Sequence, residues 1–385
     1  MSGPFDPPVF RLEEYLGVWE FQARHHLTAS DAETLTIEEL LAFADPDERE
    51  RFERLPLSYA PTWGGDELRE AVANLYDGLG PEHVLTFAGA EEALFWSLQE
   101  LAGPGDHVLV TVPNYQSFES IPITAGAEVE GIVLDPDAGW ELDVEAIARQ
   151  MRPTTKLVAV NFPNNPTGAI CRRDNFEALA ELCEERGVTL LSDEVYRGLE
   201  VDEADRLPQA AELAPSAVSL NVMSKSYGLP GLRIGWLATR DRDLLERLER
   251  RKHYTSICNA TPSEALATIA LRNGAAIQAR NRDLVEANIA TFEAFFAAHP
   301  DRLEWQAPVG GCVSFPRYLG DDGVENFCTE LVEQEGVVLL PASIYRSDLG
   351  PVPTDRFRIG VGRRDPEPAL EAFGRFLDGH VSIRT

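Results

Sequence analysis

Three lysines, Lys156, Lys225 and Lys252, stand among 34 basic residues, and the other 31 are arginine. Arginine stays protonated near neutrality, whereas a buried lysine can become a neutral amine and attack a carbonyl carbon. Lys225 has the most suggestive setting, the run Ser224-Lys225-Ser226-Tyr227-Gly228-Leu229-Pro230-Gly231-Leu232-Arg233-Ile234-Gly235-Trp236. A Gly/Pro-rich bend follows the amine, and an arginine then opens an apolar segment. Alone, a Ser-Lys pair reads as a surface turn.

Four further groups stand where apolar runs end. Gly89-Ala90-Glu91 is a small-residue turn into a helix, which presents free N–H groups and a positive dipole end to an anion, although many such turns bind nothing. Asn165, in Asn164-Asn165-Pro166-Thr167-Gly168, offers an amide donor from ordinary turn chemistry. Asp193, in Asp193-Glu194-Val195-Tyr196, is costly to bury unless it meets a cation or hydrogen bonds, and Tyr196 reaches the same place if the chain turns. Arg358, in Phe357-Arg358-Ile359-Gly360, sits inside an apolar run and needs a carboxylate to grip, internal or from a ligand.

The elements that must position these groups alternate along the chain. Apolar runs at Val84–Phe87, Val108–Val112, Val129–Leu134, Leu157–Phe162, Val188–Ser192, Val218–Met223 and Ile234–Ala238 read as buried strands. Helical patterns at Glu91–Leu101, Val144–Gln150 and Asn175–Arg186 fall between them, which implies an α/β layer with a largely parallel sheet. Upstream, Arg11–Phe21, Thr36–Phe43 and Asp66–Tyr76 read as helices, with Thr36 as a cap three residues before Glu39. Beyond residue 240 the texture shifts to long helices (Asp241–Tyr254, Ser263–Leu271, Ala275–His299). A small α+β unit follows, with strand-like runs at Gly311–Pro316, Val337–Leu340 and Phe357–Val361. Strand ends of an open α/β sheet are where such folds place ligands.

Together, Asn-Pro-Thr-Gly, Asp-x-x-Tyr, Ser-Lys-x-x-Gly-Leu-Pro-Gly-x-Arg-x-Gly and the late Arg-x-Gly resemble the class I/II group of the fold-type I pyridoxal-phosphate-dependent aminotransferases, over about residues 55–365. The resemblance implies a three-layer α/β/α large domain with a mostly parallel sheet. It also implies a smaller α+β domain from the N-terminal segment and the C-terminal part. The expected division is 1–50 for the arm and part of the small domain, 51–270 for the cofactor-binding domain, and 271–385 for the rest of the small domain.

By the same resemblance, Lys225 carries pyridoxal 5'-phosphate as an aldimine and later moves the substrate Cα proton. Asp193 pairs with the pyridine nitrogen, Asn165 and Tyr196 donate to the phenolic oxygen, and Tyr115 stacks on the ring. Gly89, Ala90, Glu91, Ser224 and Arg233 cup the phosphate, and Tyr59 reaches it from a neighbouring subunit, which implies a homodimer. Arg358 clamps the substrate α-carboxylate, and the Asn165–Pro166 bond is expected cis. Two departures stand out. Val222 replaces a phosphate-binding serine common in relatives, and Leu27-Thr28-Ala29-Ser30-Asp31-Ala32-Glu33 stands where a Gly-x-Gly-x-Pro-Asp-like segment is usual.

The expected activity is amino transfer between an L-amino acid and a 2-oxo acid. A carbon–sulfur β-lyase or a cyclase could begin with the same Cα deprotonation. A ligand-sensing module is disfavoured, since no DNA-binding segment or basic patch accompanies the lysine, aspartate and tyrosine. A nicotinamide-binding dehydrogenase is set aside because Gly78-Leu79-Gly80 does not open a helix as Gly-x-Gly-x-x-Gly requires.

A net charge of −30 repels nucleic acid and anionic membranes, so neither is an expected partner. Arginine in place of lysine on so acidic a chain resembles proteins adapted to high salt, where screening removes self-repulsion. Five scattered cysteines with no Cys-x-x-Cys argue against a disulfide framework and a structural zinc site. No apolar run approaches the ~20 residues that span a bilayer, and the first residues lack signal-peptide character, so the cytoplasm is the expected location.

Overall fold

The computed structural model describes residues 6–379 of the chain. Seven strands form the central sheet: β1 (Val84–Phe87), β2 (His107–Val112), β3 (Glu128–Val133), β4 (Thr155–Asn161), β5 (Thr189–Asp193), β6 (Val218–Val222) and β7 (Gly235–Ala238). Their spatial order is β1-β7-β6-β5-β4-β2-β3. The β3-β2-β4-β5-β6 block is parallel, and β7 runs antiparallel to both β6 and β1. That reversal has a local cause. Only residues 223–234 separate β6 from β7, with one short 3-10 turn at Pro230–Leu232. A parallel return would need a longer crossover, usually a helix.

Successive side chains of a strand face opposite sides, so the sheet feeds two cores. Val108, Val110, Leu157 and Ala159 pack with Leu94 and Leu98 of the helix Ala90–Leu101 and with Leu244 and Leu248 of the helix Arg242–Lys252. Leu109, Val158 and Val160 pack the other way, with Ile147, Phe176, Leu179 and Cys183. Helices on both faces make the layer arrangement α/β/α. At the β3 edge, Glu128 and Glu130 hold Arg152 at 2.6 and 2.7 Å, and charge there discourages pairing with a further strand.

The C-terminal part centres on Phe357–Gly360, antiparallel to Val313–Ser314 on one side and Leu340–Pro341 on the other. The N-terminal segment joins it: His25–His26 pairs in parallel with Val337–Val338, and Gly360 N–H donates to Leu27 O at 2.8 Å. The long helix Gly274–Ala297 and the helix Glu367–Gly379 pack in the same core through Phe292, Phe296 and Phe373.

The helices expected upstream are present as Arg11–Trp19, Ile37–Leu41 and Asp66–Ala73, and Thr36 with Glu39 forms a reciprocal capping box. Two helices show no apolar period in the sequence. Pro46–Glu53 buries none of its residues, so it shows no apolar period; its marker is the Asp45/Glu48 capping box before Pro46. Ser117–Thr124 contains Pro122 and buries six consecutive residues, which erases any amphipathic pattern.

Candidate active site

The parallel strands bring their carboxyl ends to one edge of the sheet, and the reversed β7 brings its amino end there too. Asn161 at the end of β4 is in register with Asp193 at the end of β5, and its Nδ2 donates to Asp193 O at 3.1 Å. Lys225 follows β6 by three residues, and Arg233 precedes β7 by two. The C-terminal sheet supplies Arg358. Asn165, Asp193, Tyr196, Ser224, Lys225, Arg233 and Arg358 thereby line one cavity of about 870 Å³, together with Tyr115, Ala90 and Glu91.

Lys225 Nζ makes one hydrogen bond among the described residues, to Ser30 Oγ at 2.7 Å. Burial lowers its ammonium below the ordinary value, opposed by the carboxylates of Asp31 and Asp193 and aided by Arg358. The site thus makes this amine easier to deprotonate than a lysine in water.

Asp193 accepts from Val195 N–H at 3.1 Å, and no ion pair reaches it among the described residues. Burial pushes its carboxyl up to about 7, because the Val195 N–H and the more distant Lys225 offset only part of the water the charged form has lost. A cationic ring nitrogen is the group that would restore that charge.

Asn165 is locked from several sides. Its backbone N–H donates to Asn161 Oδ1 at 2.8 Å, and its Oδ1 accepts from Arg358 Nη1 at 3.1 Å, which leaves Nδ2 as the donor toward the cavity. The Asn165–Pro166 bond is cis, as expected, and so are Val112–Pro113 and Phe162–Pro163. Tyr196 is buried; its hydroxyl has Ser30 nearby but closes no hydrogen bond of good geometry. An orphaned buried hydroxyl beside an amide donor suits an anionic oxygen of a ligand.

The anion cup lies at the helix Ala90–Leu101. Gly89, at φ +92°, is its N-cap and supplies no side-chain cap, so first-turn N–H groups are left for a ligand. Gly89's own N–H is already spent on Phe87 O at 2.8 Å, so the donors are those of Ala90 and Glu91 rather than the three expected. A side chain at Gly89 would collide with the Arg233 guanidinium, which lies against this turn with no carboxylate in ion-pair range among the described residues. The Glu91 side chain points inward. Burial raises its carboxyl, and Ser117 Oγ donates to Oε1 at 2.6 Å. Val222 is buried at the cavity wall, where it offers no polar atom.

Arg358 is only 2% exposed. Nη2 donates to Thr28 O at 2.7 Å, Nη1 to Asn165, and Nε has no partner. No carboxylate of the described residues neutralises it, a costly arrangement unless an anionic ligand completes it.

Tyr115 packs against Phe10, ring centroids 5.2 Å apart, at the cavity wall. Tyr59 is 88% exposed and does not line the cavity of its own chain.

Sequence reasoning missed the contribution of residues 28–31 and of Arg363. Arg363 Nη2 holds Asp31 Oδ2 at 2.8 Å, Ser30 meets Lys225, and Thr28 O meets Arg358. The signal available was negative, a familiar segment missing at Leu27–Glu33, and it pointed to the place without giving a role. Among the described residues no cluster of His, Cys, Asp or Glu is placed to hold a metal ion.

These residues fit pyridoxal 5'-phosphate. The orphaned Tyr196 hydroxyl and Asn165 Nδ2 suit its phenolic oxygen, uncompensated Asp193 suits its ring nitrogen, and Ala90, Glu91, Ser224 and Arg233 suit its phosphate.

Comparison with known proteins agrees. Residues 41–375 match the family model for aminotransferase class I and II. The chain is 31% identical to capreomycidine synthase of Streptomyces vinaceus over 389 residues, all of this chain and 97% of that protein. A crystal structure of a PLP-dependent aminotransferase from Streptococcus suis superposes with a TM-score of 0.90 at 33% identity, covering 97% of this chain and 98% of that one. The PLP-dependent cyclase OrfR superposes with a TM-score of 0.87 at 27% identity, covering 98% of each chain. The chain belongs to the class I and II aminotransferase family.

Proposed function

We propose that the protein is a pyridoxal-phosphate-dependent aminotransferase that transfers an amino group from an L-amino acid to a 2-oxo acid. The observation that carries the reading is that Lys225, held as a buried amine, and Arg358, a buried cation with no acidic partner, face one cavity. When bound, the cofactor supplies an aldehyde that an amine can join and a ring that takes up electrons as the Cα–H bond breaks. Arg358 binds the substrate α-carboxylate through charge-assisted hydrogen bonds and so fixes the direction of the Cα–H bond. Lys225 accepts the Cα proton on Nζ and delivers it onward as general base and then acid. Asp193 would stabilise positive charge at the ring nitrogen, while Asn165 and Tyr196 would donate to the phenolic oxygen.

The working unit in this reading is a homodimer with shared sites. Leu57 and Tyr59, 86% and 88% exposed on an irregular segment, support it as an arm that reaches a second copy. The pairing of residues 25–27 with the C-terminal strands supports one small domain built from 1–50 and 271–385, beside a large domain of 51–270. Five free cysteines, four of them buried, suit a reducing cytoplasm, and no helix of the described residues is long and apolar enough to cross a membrane. The surplus of 64 acidic over 34 basic residues suits a saline setting.

A second reading, a lyase or cyclase that starts with the same Cα deprotonation, is supported by the full-length similarity to capreomycidine synthase and to the cyclase OrfR. Incubation with ¹⁵N-amino acids and unlabelled 2-oxo acids separates the two. Transfer of label into the acceptor's amino group is the expected result; label released as ammonia or retained in a cyclised product overturns the first reading.

A further inference from the structure

The segment 27–33 has no assigned part in the chemistry, yet it is fastened on every side to the site. Leu27 O accepts from Gly360 N–H at 2.8 Å, Thr28 O from Arg358 Nη2 at 2.7 Å, and Ala32 N–H donates to Lys225 O at 3.3 Å. The backbone comes close enough that a side chain at Gly360 would run into Ala29 O, and one at Gly228 would stand 2.7 Å from Glu33 O. Two adjacent polar side chains leave this fixed backbone. Asp31 turns to Arg363 at 2.8 Å, and Ser30 turns to Lys225 Nζ at 2.7 Å.

We propose that Ser30 is a positioning residue for Lys225: its hydroxyl holds the lysine amine at a fixed station without a full charge, while Arg363 keeps the Asp31 carboxylate from taking that place. The assignment rests on the reading that Lys225 carries the cofactor and moves the substrate proton. A lysine side chain has four flexible carbons and considerable rotamer entropy, so an amine that must act repeatedly on one atom gains from a fixed partner. The identity of the partner matters as much as its presence. A carboxylate at hydrogen-bond distance stabilises the ammonium and raises its pKa by about 1–3 units, which would leave less free base near neutrality. A hydroxyl accepts the same hydrogen bond with far less effect on the charge. The charged groups that act on Lys225 are Asp31 and Asp193, which favour its protonated form, and Arg358, which opposes it; buried Cys312 also lies close. Asp31 is the one of these whose direction the Arg363 ion pair controls.

The test has two readouts. In apoprotein, acetic anhydride labelling of Lys225 across pH, read by peptide mass spectrometry, gives the midpoint of the amine's titration without any cofactor. Ser30→Asp is expected to move that midpoint up by about one unit or more. In holoprotein, Ser30→Ala is expected to lower kcat roughly tenfold with KM within about twofold, and Ser30→Thr, which keeps the hydroxyl, to restore kcat. A Ser30→Asp midpoint within a few tenths of wild type, or a Ser30→Ala kcat within twofold, overturns the assignment. Failure of the underlying reading looks different: borohydride then leaves Lys225 unmodified in wild-type holoprotein, whatever the acylation midpoints are.

Discussion

Arg358 Nη1 donates to Asn165 Oδ1 at 3.1 Å, so the proposed carboxylate clamp and the proposed ring-oxygen donor share one hydrogen bond. The contact joins the turn after β4 to a strand of the C-terminal sheet, 193 residues away in sequence. It orients the Asn165 amide with Nδ2 toward the cavity and fixes the guanidinium that has no acidic partner. Residues so joined should not behave independently. In a double-mutant cycle, Asn165→Ala and Arg358→Lys should show a coupling of about 0.5–3 kcal/mol in kcat/KM, and additive effects would mean that the contact does not operate in turnover.

Arg358→Lys alone replaces a fork of donors by a point charge. KM for the amino donor should rise about 10- to 100-fold, from loss of one charge-assisted hydrogen bond worth about 1.5–3 kcal/mol. Steady-state kinetics with a saturating acceptor reads this directly; an unchanged KM would place the substrate carboxylate elsewhere.

Arg233→Ala should weaken pyridoxal phosphate binding to apoprotein by about 10- to 100-fold, since the dianion loses the guanidinium beside the helix N-terminus in a chain of net charge −30. Titration of the apoprotein by tryptophan fluorescence measures it. An unchanged Kd would show that the helix N–H groups suffice.

Asp193 gives a pH signature in the apoprotein. Its folded carboxyl, raised by burial to about 7 from 3.8, keeps its proton between those values while the unfolded chain releases it. Unfolding free energy contributed by this group therefore falls as pH rises from about 4 to 7, by up to about 1.4 kcal/mol per unit, and is flat above. Glu194, raised to about 7 by burial, adds a slope of the same sign. Asp193→Asn should remove its own share, so denaturation of both proteins between pH 5 and 7.5 isolates the term. The wild-type slope should also shrink in holoprotein; equal slopes in wild type and variant would mean that Asp193 is already compensated.

Salt should stabilise the fold. With 64 acidic and 34 basic residues, self-repulsion is strong at low ionic strength and is screened within about 3 Å at 1 M. The melting temperature should rise between 0.1 and 2 M KCl, against the loss of exposed pairs such as Arg152–Glu128 and Arg272–Glu67. A flat or falling melting temperature would remove the saline reading.

The sheet was legible because strands buried on both faces are near-continuous apolar runs, as at His107–Val112, and their ends fell where the chemistry-bearing residues stand. Lys225, Asp193, Asn165, Tyr196, Arg233 and Arg358 were all identified from sequence and share one cavity. Ser30, Asp31 and Arg363 were not. Their placement depends on a segment 195 residues before Lys225 being stitched to the C-terminal strands, and no local pattern encodes that approach. The reversal of β7 also lay outside a period-based reading. It follows from the short connection after β6, a length argument that apolar periodicity does not carry.

The central claim is that Lys225 alone carries the cofactor, and only two other lysines could compete, Lys156 and Lys252. Lys252 is itself buried, but its Nζ is committed to the carbonyls of Thr62 and Thr86, both at 2.7 Å. Borohydride reduction of the holoprotein, followed by peptide mass spectrometry, therefore tests the claim most directly. The account predicts a stable pyridoxyl-phosphate adduct on Lys225 and none in Lys225→Ala; an adduct on Lys156 or Lys252, or one that persists in Lys225→Ala, would contradict it.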